Sequence, residues 1–346
     1  MQSVPATRSS SLRTNYTIFD CMRFTRKEGC GAPVWHDTLR DMDYAEARAA
    51  FFQPRPADAP PARTSSWRSP ARALRDAIEP IATICYWAEP AYDAQAAVGL
   101  DFLQAYVWGR ASALGEPEGT VVAAAFGVFE PGLIASLYDS GRATCGLAEV
   151  RAAREKGAVA ALREVLGNPD GLDGVSTAVE GLRRGAAAAD STGRAFHAGL
   201  TALPWPADPL GQLWHAATLL REHRGDSHLA ACVACGLTGL EANLLTELRV
   251  GWEPQAYAGS RGWSPEAMDA ATAVLTTRGL IAGGALTAEG EALRDGIEET
   301  TDRLVAPVVD AIGDDLPGLL TVLDGWSRQI VDRGWFPPDP YKRASG

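Results

Sequence analysis

No run of about 18 consecutive apolar residues occurs in the chain, which is the length a helix needs to cross a hydrocarbon layer, so no membrane span is expected. The N-terminal residues lack a continuous apolar stretch with a small-residue cleavage site, so no secretory leader is expected either. Cysteine is sparse. Six residues, at 21, 30, 85, 145, 232 and 235, form no disulfide framework, and a reducing compartment would keep them as thiols. These absences together predict a cytoplasmic protein. A phosphate loop, a dinucleotide fingerprint and a Gly-x-Ser-x-Gly elbow are also missing, so no cofactor is expected. Cys232-x-x-Cys235 with His228 offers enough zinc ligands on paper. It sits in an Ala-rich helical context without a second cysteine pair, where cysteine behaves as a small buried hydrophobe, so no metal site is assigned.

Charge of one sign is short where it would matter for nucleic acid. The chain carries −11 overall, and residues 1–72 hold 11 Lys/Arg against 7 Asp/Glu, leaving −15 on the remainder. Proteins that grip phosphate backbones gain affinity by neutralising phosphates, and an acidic body repels the duplex. DNA is therefore not the expected partner.

What is present is a body of 346 residues with 46% hydrophobic side chains, enough to bury a core in each of two domains. Residues 1–70 read as an extension, with a short helix at 41–52 and a Pro/Ser/Arg-rich linker over 53–72. The rest repeats itself. Gly99-Leu100-x-x-Leu103-x-Ala105 returns as Gly236-Leu237-x-x-Leu240-x-Ala242, 137 residues on. Gly132-Leu133-Ile134-Ala135 returns as Gly279-Leu280-Ile281-Ala282, 147 on. Leu172-x-Gly174-x-x-Thr177-x-x-x-Gly181 returns as Leu316-x-Gly318-x-x-Thr321-x-x-x-Gly325, 144 on. Three matches in one order at nearly one offset predict two homologous lobes, 71–202 and 203–335, followed by a tail, 336–346.

Local signals are clearest in the second lobe. A helical stretch runs from Leu210 to about Ala234, with Gly225 positioned to end or bend it, and another covers Leu237–Leu248. Ser264-Pro265-Glu266 reads as an N-cap, a proline in the first turn and an acidic start. That helix carries Met268, Ala271, Val274 and Leu275 on one face and stops at Arg278-Gly279. Leu280-Ile281, Gly283-Gly284 and Ala285-Leu286 read as a minimal hairpin, and Thr287 caps a long helix through Leu304.

Leu275-Thr276-Thr277-Arg278-Gly279-Leu280-Ile281, then Leu286-Thr287-x-x-Gly290-x-x-Leu293, resembles the helix–wing–helix segment of MarR-type regulators. More widely, residues 71 to about 330 are similar to an actinobacterial family of two-lobed MarR-like proteins described only as helix-turn-helix. The resemblance rests on Leu203-Pro204-Trp205-Pro206, on the run Trp214 to His228, and on Glu79-Pro80-Ile81 and Gly109-Arg110-Ala111. Two positions depart from it: Ala82 and Glu130 stand where that family is expected to carry histidines. The resemblance implies a mainly α fold with small β-wings, built as a pseudo-twofold pair of winged-helix lobes, a pseudo-dimer in one chain.

Two candidate sites follow. A DNA-reading wing needs donors and basic residues, yet Ser264–Arg278 sets Glu266 and Asp269 against one cation, and the tip Ala282-Gly283-Gly284-Ala285 has none. Its first-lobe equivalent, around Val121–Ser136, is apolar and expected to be buried. The second candidate is the polar helix. Helical spacing brings His215, Glu222 and His223 near one another, with Asp226 and His228 after them. Trp214, Leu219 and Leu220 pull this segment into the core, so its polar groups must be paired there, whether as a purely structural network or as a site. As a site, His223, Glu222, Asp226 and His215 would supply acid–base chemistry, and Arg221, Arg224 and His228 would bind an anionic group. Tyr86, Glu89 and Arg110 would face them from the first lobe.

The function expected is a winged-helix scaffold repurposed for a polar small molecule of bacterial specialised metabolism, free or tethered to a carrier protein. If it is an enzyme, elimination, cyclisation or isomerisation without a cofactor is the chemistry to test. The alternatives are a ligand-responsive MarR-like regulator and a scaffold that needs a partner protein.

Overall fold

The computed structural model describes residues 44–45 and 67–337. Apart from residues 44–45, which are helical, the expected helix at 41–52 lies outside the described residues, as do most of the 1–70 extension, Cys21, Cys30 and the tail beyond residue 337. No single helix among those described is long and apolar enough to cross a membrane.

Local chemistry sets the first helix. Ser69 accepts a hydrogen bond from the Arg72 N–H and Pro70 occupies the first turn, so α1 spans Pro70–Trp87. The linker expected to reach residue 72 therefore ends at Ser69. Helix α2 (Glu89–Ala96) follows at once, because Pro90 lacks the N–H that would have continued α1 onto the Tyr86 carbonyl. Helix α3 (Phe102–Ala111) opens with a capping box between Asp101 and Gln104. Then come α4 (Gly119–Phe126), α5 (Pro131–Thr144), α6 (Leu147–Leu166), α7 (Val175–Ala188) and α8 (Ala195–Thr201).

Helix α9 runs unbroken over Pro209–Ala234. Gly225 neither ends nor bends it, contrary to the sequence expectation. A mid-helix glycine costs about 1 kcal/mol against alanine, and burial of this helix among α1, α6, α7, α8 and α13 outweighs that. Helix α10 (Gly239–Val250) starts from a second capping box, Thr238 with Glu241. After the short α11 (Ala256–Gly259), Ser264 caps α12 (Pro265–Thr277) as its sequence predicts. Val274 points to solvent, however, and only Met268 and Leu275 of its expected face are buried.

Strands β1 (Ile281–Ala282) and β2 (Ala285–Leu286) pair antiparallel, with Gly283 and Gly284 both at positive φ, as a tight two-residue turn demands. This is the only sheet among the described residues. The first-lobe stretch expected to match it is helical instead. Glu130 accepts hydrogen bonds from the Gly132 and Leu133 N–H groups and Pro131 opens α5, so the segment coils where a wing would extend. Nor is it uniformly buried, since Val121 is exposed. Thr287 caps α13 (Ala288–Ile312), which continues a full eight residues beyond Leu304, and α14 (Leu316–Asp332) closes the chain.

The larger apolar core draws on α1, α3, α6, α7, α9 and α14 together, and a smaller one sits among α10, α12, the hairpin and the first turns of α13. Packing crosses the chain: α1 lies on α14, and α9 lies on α7.

One close approach ties α10 to the loop after α4. A Cβ built on Gly239 would stand 1.9 Å from the Gly127 carbonyl oxygen, whereas one on Gly296 would meet nothing within 4 Å. Gly239→Ala should therefore cost about 1–3 kcal/mol in urea denaturation through overpacking. Gly296→Ala, in mid-helix, should be neutral or stabilising. Equal effects would refute this account.

Candidate functional site

Helix α9 is buried on almost every side, and its polar side chains enter the core in different directions. Successive residues on a helix point about 100° apart, so Glu222 and His223 part company despite being adjacent. His223, 1% exposed, turns toward α8, where its ring meets that of His197 edge to face at 5.0 Å. Neither ring nitrogen of His223 has a hydrogen-bond partner among the described residues, and burial, then the neighbouring His197, holds the imidazole down at about 4. His215 packs against Trp205 at 4.9 Å and is likewise held at about 4 by burial.

Glu222 faces the other way. Its carboxylate receives Arg110 in two-point contact, at 3.1 and 2.8 Å, and Arg221 at 2.9 Å. Arg221 in turn reaches Glu79 at 3.1 Å. The Arg110 guanidinium lies between the Phe126 and Phe196 rings, 4.7 and 4.2 Å from their centroids. Burial alone would raise the Glu222 carboxyl, but Arg110 and Arg221 outweigh it and hold it at about 2. The chain Glu79–Arg221–Glu222–Arg110 thus links α1, α9 and α3. Held by its two arginines, Glu222 stays ionised near neutrality.

A second ionic node lies one turn further along α9. Glu298 of α13 accepts from Arg224 at 3.1 Å and from Arg294 at 3.3 Å, with Arg72 at 3.8 Å. Burial would raise its carboxyl, yet the charges of His228, Arg224 and Arg294 around it hold it at about 2. Nδ1 of His228 lies 3.2 Å from the Thr301 hydroxyl, and burial pushes the imidazole down to about 3.

Between the two nodes opens a cavity of about 190 Å³, lined by α1, α3, α9, α10 and α13 and by the loops after α4 and α10. Six of the residues singled out from sequence line it: Tyr86, Arg110, Arg221, Arg224, Asp226 and His228. Four do not. His215 and His223 point elsewhere, the Glu222 carboxylate stands behind its two arginines, and Glu89 is exposed at the start of α2. The Tyr86 hydroxyl accepts from Arg154 at 2.9 Å, and burial raises its pKa. The sequence reading missed Arg72, Arg75, Arg249, Arg261, Arg294 and Glu298, all in the wall. One signal was available. Arg294 and Glu298 fall beside Gly290, Ile297 and Thr301, on the buried face of α13.

Asp226 differs from the other acids of the wall. No arginine touches it; one oxygen accepts the His197 N–H at 3.1 Å, and burial, reinforced by Glu222, lifts its pKa from 3.8 to about 6. A carboxyl that titrates higher in the fold than in the unfolded chain stabilises the fold at low pH. That contribution vanishes as pH rises from about 4 through about 6. Asp226→Asn escapes the loss, so its stability relative to the unsubstituted protein should grow across that window and level off above it. Guanidinium denaturation at a series of pH values reads this directly, and a pH-independent difference would mean that Asp226 titrates normally.

The two positions that depart from the resemblance have structural tasks here. The Ala82 carbonyl accepts the Trp214 indole N–H at 3.2 Å, and Glu130 caps α5. No curated protein and no solved structure matches the chain. A family model described as a helix-turn-helix family matches residues 71–337, more than three quarters of the sequence and every element of the cavity wall. The chain belongs to this helix-turn-helix family.

Proposed function

We propose that the two halves of the body, 71–202 and 203–335, are variants of one MarR-like winged-helix plan. In this reading the fused pair has been turned from reading DNA to holding a small molecule between them. The element order supports the duplication. Capping boxes open α3 and α10 at positions 137 residues apart, and a single tight turn joins α6 to α7 as another joins α13 to α14. The crossed packing of α1 on α14 and α9 on α7 is what a pseudo-twofold axis between the halves would produce. Pro90 accounts for one mismatch, since Ser227 stands 137 residues later and leaves α9 whole, and the Glu130–Pro131 helix start accounts for another, the hairpin without a first-half counterpart.

The DNA-facing parts argue against their ancestral use. Arg278, the cation at the end of α12, donates to the carbonyls of Cys235 and Gly236, at 3.1 and 3.0 Å, and so spends part of its donor set on capping α9. The single observation that carries the binding reading is the cavity itself, lined by arginines and aromatic rings from both segments of the body. If chemistry occurs there, Asp226 is the group for proton transfer, because it reaches the cavity and titrates near neutrality. Neither His223 nor His215 lines it. The rival is a ligand-responsive regulator that uses the same cavity.

Ala125 lies in the cavity wall, and Ala125→Trp should fill the space without touching either ionic node. Native mass spectrometry of the purified protein should show a small molecule released on denaturation and absent from the variant. No retained molecule, together with a salt-sensitive mobility shift on DNA, would overturn the reading in favour of nucleic-acid recognition.

A further inference from the structure

Eight arginines face the cavity against three carboxylates, Glu79, Asp226 and Glu298. The imbalance is greatest on the α13 side. There Glu298 alone serves Arg224 and Arg294, with Arg72 behind them, and a guanidinium has five N–H donors to satisfy. Arg294 is 3% exposed, and its Nε and Nη1 have no hydrogen-bond partner among the described residues. Nε of Arg224, 7% exposed, has none either. Other acids nearby do not close the gap. Asp302 stands 3.7 Å from Arg224 and spends its second oxygen on the Trp67 indole, while Asp76 is half exposed at the rim beside Arg72 and Arg75.

Burial, then the neighbouring cation Arg75, lowers the Arg224 pKa, and burial also lowers that of Arg294. Buried cations in this condition are strongly stabilised by an added anion, because a charge-assisted hydrogen bond replaces an unmet donor. The facing wall is aromatic. Tyr86 meets Tyr106 at 5.0 Å, Tyr106 meets Phe129 at 5.9 Å, and the Arg261 guanidinium is stacked 5.0 Å from Phe129 and 4.1 Å from Tyr257. Such a surface suits a flat apolar group.

Resting on the binding reading above, we propose that the ligand is an organic oxyanion, a carboxylate or a phosphate. Its charged end is anchored on Arg294 and Arg224, and a planar apolar body lies against Tyr106 and Phe129. Anion selectivity is then a property of the pocket, independent of whether a reaction follows.

Three probes of one shape test this: 2-naphthoate, 2-naphthyl phosphate and 2-naphthylmethanol, titrated by calorimetry and by the fluorescence of Trp87 and Trp252 in the cavity wall. At least one anion should bind tenfold or more tightly than the neutral alcohol, and the tighter of the two identifies the ligand class as carboxylate or phosphate. Arg294→Met should remove that preference while leaving binding of the alcohol unchanged; it keeps Glu298 paired with Arg224, so the fold is retained. Arg75→Gln, at the rim, should weaken anion binding less. Equal affinity for all three probes, or an anion preference that survives Arg294→Met, overturns the oxyanion assignment and leaves the binding reading intact. If none of the three binds the unsubstituted protein, both fall.

Discussion

A carboxylate at the centre of a protein has to be met by cations, and Glu222 is met from two sides. Moving a charge out of water costs several kcal/mol even after relaxation, and removing one partner of a buried pair costs about 3–5 kcal/mol. Much of the architecture follows from that requirement. Arg110 has to arrive on α3 with its guanidinium between two phenyl rings, and Arg221 has to span from Glu222 to Glu79 on α1. These constraints fix how α1, α3 and α9 approach one another. The cavity is the space left where the polar faces of these helices diverge again toward α10 and α13.

The parts of this arrangement that were legible in the sequence are those decided within a few residues. Ser264-Pro265, Thr287 and the Gly283-Gly284 turn carry their structural meaning locally, through capping and positive-φ chemistry, and each appears where expected. Gly225 did not behave locally, because packing from five helices outweighs the penalty of a glycine. The first-lobe wing failed for a related reason: Glu130 and Pro131 together make a strong helix start in a stretch whose apolar content read as a buried wing.

Side-chain partnerships across the chain were harder to read. That α9 had to bury and pair its polar residues could be inferred from Trp214, Leu219 and Leu220 around them. Which residue faced which neighbour could not, since Glu222 and His223 are adjacent in sequence but point to different helices. Arg72 looked like part of a linker. Arg72 meets Glu298 across more than two hundred residues, and Arg224 meets it across 74, so no periodicity within α1 or α9 alone announces either meeting.

The ionic chain also governs how the molecule comes apart. Glu79 and Arg110 belong to one half of the body, Arg221 and Glu222 to the other, and α1 and α9 share one apolar core with α7 and α14. Opening either half by itself would leave buried charges of the other half without counterions while stripping its core. Unfolding residues 71–202 or 203–335 alone is therefore costly. Hydrogen exchange in α1, α9 and α3 would be governed by global opening, with the hairpin and α12 free to open on their own.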